Sequence, residues 1–210
     1  MRRSQAQVVF GCASVLLSYP AEDGLADDLE AVGTALARLP RGPAREAMDA
    51  ARAWLSTMSP MEAAAAYVET FDLRRRRSLY LTYYRHGDTR ERGQALVALA
   101  GVYRIAGMAL LGGELPDFLP ALLELAAVST DGQNVLHEHR PALESLREEL
   151  DEAGSPWAGV VGAVASALGG LARVDRVAIR RYRSEGPPSE RVGLEPFAPP
   201  EVLGQGVTTR

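Results

Sequence analysis

The sequence predicts an all-α fold: a single globular bundle of seven to eight helices, with an irregular segment near 74–88 and a disordered C-terminal tail. Three observations carry this expectation. Ala, Leu and Arg dominate the 210 residues, while strand-type alternation is nearly absent. Apolar residues recur three and four apart along most of the chain, the period of a one-sided helix. After Ser184 the composition turns to Pro and Gly without periodicity, which divides the chain into a helical domain over 1–184 and a flexible tail over 185–210.

The first helix is expected near 4–19, where Val8, Cys12, Val15 and Tyr19 mark an apolar stripe ended by Pro20. A second, near 24–39, starts with Asp27 and Asp28 and ends with Arg38, the charge order that suits a helix dipole. A third spans about 43–57 around Ala47, Ala51, Trp54 and Leu55. Ser59-Pro60-Met61-Glu62 is a capping-box start for a fourth helix, which runs to about Leu73. Asp88-Thr89 caps a long fifth helix with Leu96, Leu99, Tyr103, Ala106 and Leu110 as its seam and Gly112-Gly113 as its stop. A shorter sixth begins near Pro116. The seventh covers about 131–152, with Pro141 as a kink or as its true start, and the eighth runs from Pro156 toward Arg183.

Composition excludes several classes of function. A net charge of −4 and a pI near 5.5 argue against general affinity for DNA or RNA. The chain has no lysine, and the run Arg74 to Arg77 cannot form a basic face, because four adjacent residues spread around a helix. The single cysteine, Cys12, excludes an internal disulfide and fits a reducing cytosol. Arg2-Arg3 followed by VVFGCASVLL mimics an export signal, but Gln5 and Gln7 interrupt the apolar run, so a first helix is the better reading. No stretch reaches the length of a membrane span. His137 and His139 are two apart, the wrong spacing for a metal pair on a helix; no hydrolase elbow, phosphate loop or dinucleotide fingerprint is present. The expectation is no metal, no catalytic residue and no enzyme activity.

What remains is a block dense in aromatics. Tyr67, Phe71, Tyr80, Tyr83 and Tyr84 fall close together in a chain with only 6% aromatic residues, interleaved with Asp72, Leu79, His86, Asp88 and Glu91. Tyr67 and Phe71, four apart, can fill the core; the three later tyrosines, in a segment with few helix signals, suit a contact surface for an apolar peptide. On composition alone, core packing and a binding groove stand even.

The segments ETFDLRRRRSLYLTYYRHGDTRERGQAL (69–96) and ELPDFLPALLELA (114–126) resemble the nitrate reductase delta-subunit family, the NarJ-type chaperones within the TorD-like redox-enzyme maturation proteins. The resemblance is close over the central third of the chain and loose over about 8–180. It implies a cytoplasmic chaperone, a monomer or weak dimer, not membrane-embedded and without catalytic activity. Its expected partner is the apo catalytic (alpha) subunit of nitrate reductase, bound through a leader-like N-terminal segment. It would hold no cofactor stably but assist insertion of molybdopterin guanine dinucleotide into that client before membrane docking. Tyr67, Phe71, Leu79, Tyr80, Tyr83 and Tyr84 are then the expected apolar contacts, Asp72, Asp88 and Glu91 the partners of client arginines, and His86 a residue able to titrate near neutrality. A helical adaptor or regulator for a different client peptide is the alternative.

Overall fold

The first helix, α1 (Arg3–Leu17), is the axis of the molecule. The computed structural model describes residues 2–188, so the tail expected over 185–210 lies outside the described residues from 189 onward. Eleven α-helices occur among the described residues. They continue as α2 (Leu25–Leu36), α3 (Pro43–Leu55), α4 (Pro60–Tyr67), α5 (Leu81–His86), α6 (Arg90–Ile105), α7 (Leu119–Val128), α8 (Thr130–Glu138), α9 (Arg140–Glu152), α10 (Trp157–Leu168) and α11 (Arg173–Glu185). Helix α1 packs on α7, α10, α2 and α3. It is therefore enclosed on more than one side and buries Val9, Phe10, Ala13, Leu16 and Leu17 with Cys12. Of the expected stripe, Val15 and Tyr19 instead face outward.

The larger helix number arises where long periodic stretches are cut by backbone chemistry. The expected seventh helix divides at His139, because Pro141 lacks the N–H an uninterrupted helix needs and instead occupies the first turn of α9. The expected eighth divides at Gly169, whose φ of 92° is left-handed. Helix α6 stops earlier than the Gly112-Gly113 pair: Gly107 donates to the Arg104 carbonyl at 3.1 Å and Met108 to that of Tyr103 at 2.9 Å, a Schellman closure. The fourth helix starts as its capping box requires, with Glu62 accepting from the Ser59 amide at 2.9 Å and donating its own amide to the Ser59 hydroxyl at 3.3 Å.

The segment expected to be irregular is more ordered than its composition suggests. Helix α4 widens into a π-helical turn over Val68–Asp72, closed by Leu73 N–H on the Val68 carbonyl at 3.2 Å. A single 3-10 turn (Arg75–Arg77) follows, then α5. An antiparallel bridge pairs Tyr80 with Phe118: Leu81 N–H donates to Asp117 O at 3.0 Å and Leu119 N–H to Leu79 O at 2.8 Å. The two sequence blocks are thus joined backbone to backbone.

An aromatic column ties this region to the core. The last carbonyls of α1 have no intrahelical partner; Trp157 Nε1–H donates to Leu16 O at 2.8 Å and Tyr67 O–H to Leu17 O at 3.2 Å. The Trp157 ring stands 4.8 Å from Trp54 and 5.0 Å from Phe71, and Phe71 lies 4.9 Å from Tyr67. Such edge-to-face stacking adds to the area these rings bury.

Helix packing at Gly132 is equally tight. A Cβ there would lie 2.7 Å from backbone atoms of Leu125 and Ala126, which cannot move as a side chain tip would. Gly132→Ala is expected to lower unfolding free energy by about 1–3 kcal/mol in urea denaturation. Gly93→Ala, in an open stretch of α6 with nothing within 4 Å, is expected to raise it by about 0.5–1 kcal/mol. Equal effects at the two positions would contradict the packing described.

Candidate functional site

The π-helical turn, the 3-10 turn and α5 surround a cleft of about 500 Å³. Tyr67, Phe71 and Leu79 form its floor, each almost fully buried by the packing beneath. Tyr80, Tyr83, Phe118 and the exposed Tyr19 form its sides, while Asp72, Asp88, Arg74, Arg75 and Arg92 supply its charge. Tyr19 stands edge-on to Tyr67 at 5.4 Å, and Tyr80 lies 5.4 Å from Phe118.

Seven of the ten residues singled out by sequence meet here: Tyr67, Phe71, Asp72, Leu79, Tyr80, Tyr83 and Asp88. Three do not line the cleft. Tyr84 is 2% exposed and turns to the opposite side of α5; its hydroxyl lies 2.9 Å from Arg76 O and 3.0 Å from Ser78 O, and its ring faces Tyr182 of α11. Tyr84 therefore holds the 3-10 turn in place. His86 and Glu91 form their own pair, with Nδ1 to Oε2 3.4 Å apart. Asp72 does not take Arg75 or Arg76 as an ion partner; Arg76 reaches Glu149 of α9 at 3.7 Å instead.

The residues that sequence reasoning missed lie underneath. Asp117 is fully buried, yet it sits in an ELPDFLP stretch that reads as a turn. Its Oδ2 accepts from the Thr82 hydroxyl and from Arg92 Nη2, the latter at 3.3 Å, and Arg92 Nε–H donates to Thr82 Oγ1 at 3.3 Å. Arg92 also lies 3.6 Å from Asp88 and places its guanidinium 5.7 Å from the ring centres of both Tyr80 and Tyr83. One buried carboxylate thus fixes the arginine that fixes two walls of the cleft. The available signal was an Asp flanked by Pro116 and Phe118, a charge placed among residues that go inside.

Environment keeps the phenols neutral. Burial, then the Glu114 carboxylate that accepts from its hydroxyl at 3.1 Å, pushes Tyr80 from the usual 10 up to about 12. Burial likewise raises Tyr67 and Tyr84. Burial, with Asp49 nearby, pushes the Cys12 thiol up to about 11, and the side chain is packed in the core. His139 is half-buried: desolvation lowers its pKa, and Nδ1 lies 2.9 Å from Val135 O.

With that geometry in place, comparison with known proteins assigns the family. The family model described as nitrate reductase delta subunit matches residues 39–162, which contain the whole cleft apart from Tyr19. The chain is 30% identical to the probable nitrate reductase molybdenum cofactor assembly chaperone NarJ of Bacillus subtilis, over 80% of this chain and 92% of that protein. The chain belongs to the nitrate reductase delta subunit family. It is also 43% identical to the nitrate reductase-like protein NarX of Mycobacterium tuberculosis over 75% of this chain, but it spans only 24% of that protein's length. Against the nitrate reductase molybdenum cofactor assembly chaperone NarJ of Escherichia coli the identity is 41%, over 50% of this chain and 45% of the relative. No helix among the described residues is long and apolar enough to cross a membrane.

Two outcomes follow from the site. Asp117→Ala leaves Arg92 without its buried partner and is expected to cost about 3 kcal/mol, whereas the Asp117→Ala/Arg92→Leu double variant loses less than the two single changes together. Strict additivity in that cycle would mean the pair is not coupled. Phenols with raised pKa hold their protons in the fold after the unfolded chain releases them. Stability is therefore whole below about pH 10 and falls as pH rises through about 12 for Tyr80, read by urea denaturation across that window.

Proposed function

We propose that this chain is an assembly chaperone for a nitrate reductase-type molybdoenzyme. It binds the leader-like N-terminal segment of the apo catalytic subunit in the aromatic cleft, keeping that subunit competent for molybdenum cofactor insertion and complex assembly before membrane docking. Family membership supports the client class. The observation that carries the binding mode is the cleft itself: aromatic walls with two carboxylates, Asp72 and Asp88, on the rim.

The chemistry suits a segment that is apolar and basic. An amphipathic helix laid in a groove buries its apolar face against tyrosines, which offer wide contact and a polar tip. Burial of about 500 Å² of apolar area contributes on the order of 12 kcal/mol gross, of which ordering the peptide and its lost free motion cancel a large part. The net is a complex that forms at working concentrations and still releases.

Arg74 and Arg75 modify the expectation drawn from sequence, since the wall is of mixed charge. Arg92 is already committed to Asp117, Asp88 and the tyrosine faces, so Asp72 is the carboxylate best placed to receive a client cation. Glu91, paired with His86, lies outside the cleft.

The test is a titration of a labelled peptide from the N-terminus of the catalytic subunit into wild type, Tyr80→Ala/Tyr83→Ala and Leu111→Ser. The double variant is expected to bind about tenfold or more weakly, about 1.4 kcal/mol or above. Leu111, exposed and outside the cleft, is expected to make no difference. Undiminished affinity in the tyrosine variant would remove the cleft from the reading.

A further inference from the structure

A smaller hollow, of about 230 Å³, meets the aromatic cleft at Tyr19, a residue that lines both. The end of α1 produces it. The helix stops at Leu17, Ser18 is extended (φ −76°, ψ 155°), and Pro20 cannot continue the helix, so the chain turns away into α2. A gap is left beside the last turn of α1. Its inner wall is Leu16, Leu29, Leu55 and Trp157, all buried. Its mouth is open: Val15 and Tyr19 are 38% and 55% exposed, and Asp28 and Glu124 are exposed as well.

Two features connect this hollow to the cleft. Tyr19 stands edge-on to Tyr67 of the cleft floor, so one ring borders both spaces. Trp157, which walls the hollow, stacks on Phe71 at 5.0 Å and on Tyr67 at 6.1 Å, so the two spaces also share their backing. The volume lies below the range of about 300–1,000 Å³ typical of small-molecule sites. It suits one large side chain of a longer bound segment.

The charges of the two spaces differ. The cleft is mixed, with Asp72 and Asp88 against Arg74, Arg75 and Arg92. The hollow has Asp28 and Glu124, and no arginine or histidine lines it. Asp28 has a structural reason, since it lies in the first turn of α2, where a carboxylate favours the helix. Glu124 has none of that kind: it is the one charged residue of α7, in the middle of LPALLELAAV. The Ser14 hydroxyl donates to its Oε1 at 3.3 Å and orients it at the wall of the hollow.

We propose that the client segment runs past Tyr19, seats one apolar side chain in this hollow and places an adjacent cation on Asp28 and Glu124. This rests on the cleft reading above and deepens it: the hollow is the cation-selecting end of the groove, and the mixed-charge cleft is its apolar body. An apolar anchor in a pocket beside unopposed carboxylates is complementary to a segment that is both apolar and basic.

The experiment titrates the labelled N-terminal peptide of the catalytic subunit into the full chain, as wild type, Tyr80→Ala/Tyr83→Ala and Asp28→Asn/Glu124→Gln. The amides keep the shape of two exposed side chains and remove only charge. Each peptide arginine is also replaced in turn by citrulline, which is neutral. The carboxylate variant is expected to bind about fivefold more weakly at low ionic strength, with the difference shrinking as salt rises. One citrulline peptide is expected to lose as much against wild type and little more against the carboxylate variant, the non-additivity of a direct pair. Affinity that falls in the tyrosine variant but is unchanged in Asp28→Asn/Glu124→Gln, or strict additivity for every citrulline peptide, would overturn the hollow and leave the cleft standing. Absence of binding to wild type, or binding undiminished in the tyrosine variant, would remove the cleft reading and the hollow with it.

Discussion

The cleft depends on one buried negative charge. Asp117 has no exposure, and a carboxylate without partners in that turn would be costly to bury. It remains because Arg92 and Thr82 supply donors and because the Tyr80–Phe118 bridge holds the two segments in register. Such a pair is a weak source of net stability, since desolvation offsets much of the attraction. Its effect is on geometry. Arg92, held from below by Asp117, presents its guanidinium to both Tyr80 and Tyr83, so the walls of the cleft inherit the position of a residue that solvent never reaches.

Much of this was legible in the sequence, and the reasons divide cleanly by the range of the interaction. The Ser59–Glu62 cap lies within four residues and reads directly, as does the place of Cys12 on the buried stripe of α1. The end of α6 did not, because a Schellman closure at Gly107 and the flexible Gly112-Gly113 pair look alike without the carbonyls they serve. The stripe on α1 misled for a different reason. A one-sided pattern assumes one buried face, whereas α1 is enclosed by several helices, and the helix ends at Leu17, so Tyr19 follows the extended cap Ser18 and turns onto the cleft. Tyr84 shows the limit of density as a signal. Adjacent tyrosines on a helix point in different directions, so Tyr83 joins the cleft and Tyr84 anchors the turn behind it.

The irregular backbone has its own logic. A π-helical turn inserts an extra residue per turn, and here it falls where α4 must deliver Phe71 inward and Asp72 outward onto the rim. The floor of the cleft is therefore part of the core: Tyr67 and Phe71 stack on Trp157, which caps the carbonyl end of α1. The rim is not so constrained. Tyr19, Arg74 and Arg75 are exposed. A fixed apolar floor under an exposed, charged rim would suit segments that share an apolar face but differ in their charges.

In the proposed binding mode, that division lets affinity and specificity move separately. Contacts with the floor come from residues that cannot be removed without disturbing Trp157 and α1, so they set a strength common to any apolar segment that reaches them. In that proposed mode discrimination would fall to Asp72, Arg74 and Arg75, which line the cleft and whose interactions are partly screened and individually weak. A segment placing a cation opposite Asp72 but none opposite Arg74 and Arg75 is favoured twice, once by attraction and once by avoided repulsion. Recognition in the proposed mode would be a matter of charge order along the segment more than of its total charge.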